Sequence, residues 1–353
     1  MRWYRHHMNP RSLIWLALLC ALNLCPAQAM AAGTQQEAMA GQRLSAAEAK
    51  ALEAAVAKQP NDLSARTKLV GYYFMRQFSV PAAKAARPPH IFWIIKNQPA
   101  AEIAGLPYCN LDPIMDPDPY AQGKKLWLEQ AKAQATNPVV LGNAADFFLI
   151  HDHDLAEDLL KQAQKAEPEN PHWSDQLGNL YALPNDDEKT DAAKSLQEFE
   201  RAQAADPDAS GRFNRLDDLA KQAFAAADLK KASLYANELL AAALQHPKDW
   251  NYGNAILMGN TVLGRIALRQ GQVKLAKEYL LKAGQTPGSP QLNSFGPNMS
   301  LAKELAEKGE KDAVVEYFDL CRKFWRMGTD KLDKWTKEVR AGIMPDFGAN
   351  LVY

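Results

Sequence analysis

Apolar and small residues recur along this chain at helical spacing, and the pattern itself returns. Leu177-Gly178-Asn179-Leu180-Tyr181 matches Leu263-Gly264-Arg265-Ile266-Ala267, and Leu219-Ala220-Lys221-Gln222-Ala223 shares its shape with Leu301-Ala302-Lys303-Glu304-Leu305. A second helical stretch with a small residue on its buried face follows each copy. Internal repetition of this kind settles architecture before any single residue does. One helix pair cannot bury its apolar face alone, so neighbouring pairs stack. The pattern predicts an all-α fold, an α-solenoid of stacked antiparallel helix pairs.

The N-terminal third departs from this rhythm. Residues 32–43, rich in Ala, Gln and Gly, read as a disordered linker. Ser45 and Glu48 have the spacing of a capping box and open a helix over residues 46–58. Pro60-Asn61-Asp62 breaks it, and residues 63–77 form a second helix, so 44–80 is a helical hairpin. Residues 81–123 hold eight of the chain's 21 prolines, which excludes long helices there. The run His90-Ile91-Phe92-Trp93-Ile94-Ile95 is too apolar for a floppy linker and leaves room for a short helix. The stretch therefore reads as an irregular but ordered Pro-rich insertion wrapped against the repeats.

Helices return with the amphipathic stretch 123–135, and the repeat array spans 124–326. Its copies run over 137–170, 171–209, 210–247, 250–288 and 295–326. The marker positions of the second helices are Ala163, Ala202, Leu239, Ala283 and Cys321, at steps of 39, 37, 44 and 38 residues. Loop insertions such as Pro184-Asn185-Asp186-Asp187-Glu188 lengthen the steps, and Pro168, Pro207 and Pro247 close second helices. Residues 327–353 carry Trp335 and Phe347 and are too apolar for a free tail, so they read as a C-terminal capping segment.

These residues resemble the tetratricopeptide repeat family. Its pattern pairs Leu with Gly, places an aromatic residue three positions later, opens the second helix with a small residue and closes it with Pro. Ala144, Phe147, Ala156, Ala163 and Pro168 fit one copy. Gly178, Tyr181, Ser195, Phe199, Ala202 and Pro207 fit the next, and Gly264, Ala267, Gly271, Ala276, Leu280 and Ala283 a third. The copies at 210–247 and 295–326 are degenerate. The resemblance covers roughly 137–326. It implies a scaffold that binds a protein or peptide partner in a concave groove and performs no catalysis. Fold alone does not name the partner.

Residues 1–31 stand outside this pattern. Arg2, Arg5 and Arg11 precede a short apolar run from Leu13 to Leu22, and small residues follow at Ala27, Ala29 and Ala31. That order reads as a cleaved secretory signal peptide, with a periplasmic or secreted product. Asn23 and Pro26 cut the run below the roughly 20 residues of a membrane span, so no integral span is expected after cleavage. The chain has 41 basic and 41 acidic residues, and loss of the three arginines leaves a net charge of −3. This balance argues against a nucleic-acid partner. Of four cysteines, Cys109 and Cys321 remain, and both read as buried thiols.

Candidate chemistry is sparse. His151-Asp152-His153-Asp154 has metal-ligand types but lacks a third and fourth partner, so the segment reads as a polar turn with Asp152 or Asp154 capping the next helix. Asp112, Asp116 and Asp118 are separated by prolines unlike a calcium loop and read as solvated turn carboxylates. Metalloprotease, nucleophile-elbow, phosphate-loop and dinucleotide motifs are absent, so no cofactor is expected. The stronger feature is a row. The residue after the small residue of each first helix is Ala145, Asn179, Lys221, Arg265 and Lys303. The family resemblance puts this position in the concave groove. Asn179, Lys221, Arg265 and Lys303 would then face an extended, acidic peptide, a C-terminal carboxylate or an acidic glycan. Local pairs such as Asp217 with Lys221 offer the competing reading of a solvated face. The alternative function is an envelope hydrolase or glycan-acting enzyme. Its site would lie where the 81–123 insertion meets the repeats, with His90, Trp93, Asp112 and Asp116 as suspects.

Overall fold

The computed structural model describes residues 31–184 and 189–352. The expected signal segment lies outside these residues except for its last position, and so does the 184–188 insertion except for its proline. Among the described residues every regular element is a helix, and no helix is long and apolar enough to cross a membrane. The chain divides into two compact units, residues 1–189 and 190–353. The repeat expected over 171–209 is cut by that division.

The first unit opens with α1 (Ala31–Gln42), α2 (Ala46–Lys58) and α3 (Leu63–Arg76). The capping box forms as expected: the Glu48 amide donates to Ser45 Oγ, and the Ser45 amide donates to the Glu48 carboxylate at 2.8 Å. Where the composition reads as a disordered linker, the structure has helix α1. The reason is close approach rather than apolar bulk. Ala38 is fully buried against α3. A Cβ on Gly41 would strike the Lys68 carbonyl, and one on Gly71 would strike the Ala38 carbonyl. Two backbones that touch gain dispersion contacts that a hydropathy pattern does not register.

The Pro-rich segment also corrects the sequence reading. It contains a 17-residue helix, α4 (Pro81–Asn97), with Pro88 and Pro89 inside it. A second, α6 (Pro117–Ala133), starts at a proline. Prolines in the first turn lack only amides that had no partner anyway, so Pro117 and Pro119 start a helix rather than prevent one. Interior prolines cost about 3 kcal/mol each, and tertiary anchoring offsets this in α4. Ile91, Ile94 and Ile95 are fully buried. The buried Arg87, just before the proline pair, donates to Gln77 Oε1, Tyr108 O and Asn110 O at 2.7–2.9 Å. Between the two helices lie the short α5 (Glu102–Gly105) and a 3-10 turn at Pro107–Cys109. Cys109 is buried and reduced, as expected, and burial pushes its thiol up to about 12. The unit ends with α7 (Pro138–Phe148), α8 (His153–Ala166) and α9 (Pro171–Ala182), each packed on the next.

The second unit contains α10 (Ala192–Ala205), α11 (Ala209–Ala225), α12 (Leu229–Gln245), α13 (Tyr252–Arg269) and α14 (Val273–Gly284). The short α15 (Pro290–Phe295), α16 (Ser300–Glu307), α17 (Lys311–Cys321) and α18 (Thr329–Arg340) complete it. Three of its turns are the same. Ala227, Gly271 and Gly309 take positive φ after α11, α13 and α16. In each turn the following amide reaches back to a carbonyl of the helix: Asp228 to Ala223, Gln272 to Ala267 and Glu310 to Leu305. This is the left-handed helix stop that satisfies terminal carbonyls. The three turn residues each stand twelve positions before the second-helix markers Leu239, Ala283 and Cys321. The copies that look degenerate in sequence thus keep the repeat's register. The C-terminal segment closes the unit. Buried Asn350 donates to Phe295 O and Pro297 O, and the Met299 amide donates to Asn350 O at 2.7 Å.

Candidate functional site

In the second unit the first helices α11, α13 and α16 pack side by side, α13 in the middle. Lys221, Arg265 and Lys303 each stand six residues before the shared turn, so they occupy equivalent positions. Arg265 links the row. Its Nε and Nη2 both donate to Glu304 Oε1 of α16, at 2.9 and 2.6 Å, while its guanidinium lies 4.4 Å over the Phe224 ring of α11. Arg269 covers the same ring at 3.9 Å.

Each cation of the row has a carboxylate beside it. Lys221 lies 3.3 Å from Asp217 and 3.0 Å from Asp218. Burial alone would lower the Lys221 pKa, but the two aspartates outweigh it and hold the ammonium above the usual lysine range. Lys303 lies 4.0 Å from Glu307 on its own helix. The row is a mixed-charge network in which an acidic ligand must compete with resident carboxylates.

Asn179 belongs to the first unit and is exposed on α9, on the face that also carries His172 and Gln176. Ala145 is buried in the core. The face of α7 next to α9 is carried instead by Asn143 and Asp146, which line a cleft of about 330 Å³ with Trp173 and Gln176 of α9. Reasoning from the small residue Ala144 missed these two. The signal that would have found them is the triplet Leu141-Gly142-Asn143, which recurs as Leu177-Gly178-Asn179. Gly142 lies against the Trp173 ring, where a Cβ would clash.

The four enzyme suspects fall into two separate constellations. Arg66 Nη1 lies 3.2 Å from His90 Nδ1, and His90 Nε2 lies 3.0 Å from Glu53 Oε1. Arginine can only donate, so Nδ1 accepts and Nε2 carries the proton toward Glu53. Burial pushes the His90 pKa down, and Arg66 covers Trp93 at 4.3 Å. The neutral ring has no free lone pair left to act as a base. Asp116 is paired with Lys84 at 3.2 Å. Asp112 Oδ1 accepts the amides of Ile114 and Met115, and its Oδ2 lies 3.8 Å from His151 Nε2.

The His-Asp run takes its expected place at a turn, with His153 and Asp154 in the first turn of α8. Asp152 occupies the N-cap position without a side-chain cap bond, because its carboxylate is held by Lys124. Among the described residues no three His, Cys, Asp or Glu side chains gather as metal ligands.

No known family model matches the chain, and no curated protein matches it. Among solved structures the chain is similar to the P58(IPK) TPR domain, at 14% identity over 88% of this chain and 98% of that one, with a TM-score of 0.23. The helix pairs, the small residues at their crossings and the three shared turns make this an all-α chain built of packed, repeating helix pairs.

Proposed function

We propose that this chain is an exported scaffold that binds a protein or peptide partner and does not itself catalyse a reaction. One observation carries the reading: three successive first helices of the second unit present Lys221, Arg265 and Lys303 at equivalent positions. A row repeated at helix spacing suits an extended chain, because packed helices lie about 8–10 Å apart and a strand advances about 3.3 Å per residue. Every third residue of a bound segment would meet one cation. The resident carboxylates tune this site rather than abolish it. An acidic partner exchanges Asp218, Glu304 or Glu307 for its own carboxylates, so the net gain per contact is modest and the affinity depends on salt. A C-terminal carboxylate would compete for the same donors.

The triple change Lys221→Ala, Arg265→Ala, Lys303→Ala tests this. Pull-down from a native envelope extract should recover a partner with the unchanged chain and lose it with the triple variant, at equal helicity by circular dichroism. Recovery should also weaken as salt rises, since screening acts within about 10 Å at 0.1 M. Recovery of the same partner by the triple variant at the same salt removes this row from the binding site.

A further inference from the structure

The cleft of the first unit has a chemistry opposite to that of the Lys221 row. It lies between α7 and α9, with the α8–α9 turn at one end, and encloses about 330 Å³. That is the small end of the usual range for ligand pockets. Two carboxylates line it, Asp146 and Glu167, and no lysine or arginine does. Glu167 is fixed in place: its Oε2 accepts from Asn170 Nδ2 at 2.8 Å and from Trp173 Nε1 at 2.9 Å. The hydrogen bonds from Asn170 and Trp173 hold its carboxyl below the usual range, so it stays ionised.

Asp146 differs. The residue is half-buried at the edge of the cleft, with Oδ2 beside Gly105 of α5, yet its carboxylate receives no hydrogen bond or ion pair from any described residue. Neighbouring Asn143, one turn earlier on the same face, cannot help. Its amide donates to Pro99 O at 2.8 Å and Ala101 O at 3.1 Å. A carboxylate partly withdrawn from water without a donor is costly, and a cation brought to the cleft would offset that cost. Val139, Leu160 and the tightly seated Trp173 ring supply an apolar wall beside it.

We propose that this cleft receives the cationic side chain, lysine or arginine, of a bound peptide, with Asp146 as the direct counter-charge and Glu167 as a second, pre-oriented carboxylate. The aliphatic stem would lie along Val139, Leu160 and Trp173, where long cationic side chains bury their methylenes. Gln176 and Asn170 offer carbonyl oxygens for the remaining N–H groups. The inference rests on the reading of the chain as a peptide-binding scaffold, but its test does not pass through the Lys221 row.

The test is isothermal titration of the full chain with capped alanine peptides carrying one central lysine, arginine or norleucine. A cationic peptide should bind, and norleucine, which keeps the stem without the charge, should bind about tenfold or more weakly, as loss of one charge-assisted contact predicts. Asp146→Asn should weaken the cationic peptide by a similar factor at an unchanged circular dichroism spectrum. Asp146→Glu, which keeps the charge, should restore part of it. The proposal is overturned if neither cationic peptide binds, if norleucine binds as well as lysine, or if Asp146→Asn binds normally. Heat from calcium chloride that depends on Asp146, with none from the peptides, would also overturn it. If the peptides fail while the triple variant of the second unit still loses its partner, the assignment of this cleft alone falls.

Discussion

At the scale of single residues, polar side chains decide more than their number suggests. Arg87 is enclosed, and burial lowers its pKa to about 10, yet three oxygen acceptors fix it beside two interior prolines. Asp146 is the opposite case, a carboxylate with nothing to pair with. Burial lifts it from 3.8 to about 7. The folded chain therefore keeps a proton that the unfolded chain has already released between about pH 4 and 7. Stability falls wherever the folded state binds more protons and pH rises. This contribution is fully present below about pH 4 and is lost as pH climbs through about 7. Asp146→Asn cannot titrate, so the wild type should lose stability relative to it between pH 5 and pH 8. Urea unfolding of both proteins measures the difference, in which the other cleft groups, Glu167 and His172, cancel. A difference that stays constant over that range contradicts the assignment.

At the scale of elements, helix ends carry the repeat more faithfully than helix interiors do. The turns after α11, α13 and α16 share a left-handed residue, glycine in two and Ala227 in the third, at φ 61°. A side chain in that conformation costs roughly 1–2 kcal/mol, part of which glycine gives back through its greater freedom in the unfolded chain. Ala227→Gly should therefore stabilise the second unit by about 0.5–1 kcal/mol. Gly271→Val should destabilise it by more than that gain. Thermal melts read both, and a lower melting point for Ala227→Gly refutes the shared turn. Gly264 makes the related point about crossings. A Cβ there would clash with Leu301 of the next first helix, which is why the Leu-Gly pair is legible as a repeat marker.

At the scale of the molecule, the proposed export would meet folding at α1. If the chain is exported as proposed, the small-residue sites in the sequence would put the first residue of the mature chain between Met30 and Gly33. Cleavage there keeps Ala38 and Gly41, the residues that α3 packs against. N-terminal sequencing and mass measurement of the exported protein should find that start. An intact Met1, or lipid on Cys25, would refute it. A chain cleaved there would carry a net charge of −3, close to neutral, so binding should depend on local rows and clefts such as those at Arg265 and Asp146 rather than on the field of the whole chain.

The sequence by itself determined the helix pairs, their register over 210–326 and the capping box at Ser45. These follow from local periodicity and from turn chemistry, which act over a few residues and leave a readable trace. Tertiary structure alone decided three other matters. Helix α1 has an unremarkable composition and forms because Gly41 and Gly71 let two backbones touch. Helix α4 carries Pro88 and Pro89 because burial of Ile91, Ile94 and Ile95 and the anchoring of Arg87 outweigh the loss of local hydrogen bonds. The charge of the Lys221 row was legible in part, because Asp217 lies one turn away in sequence. Glu304, which neutralises Arg265, comes from another helix. Asp146 was hidden for the same reason. Nothing in the residues around it announces a carboxylate without a donor, since that absence is a property of what α5, α8 and α9 fail to bring to it.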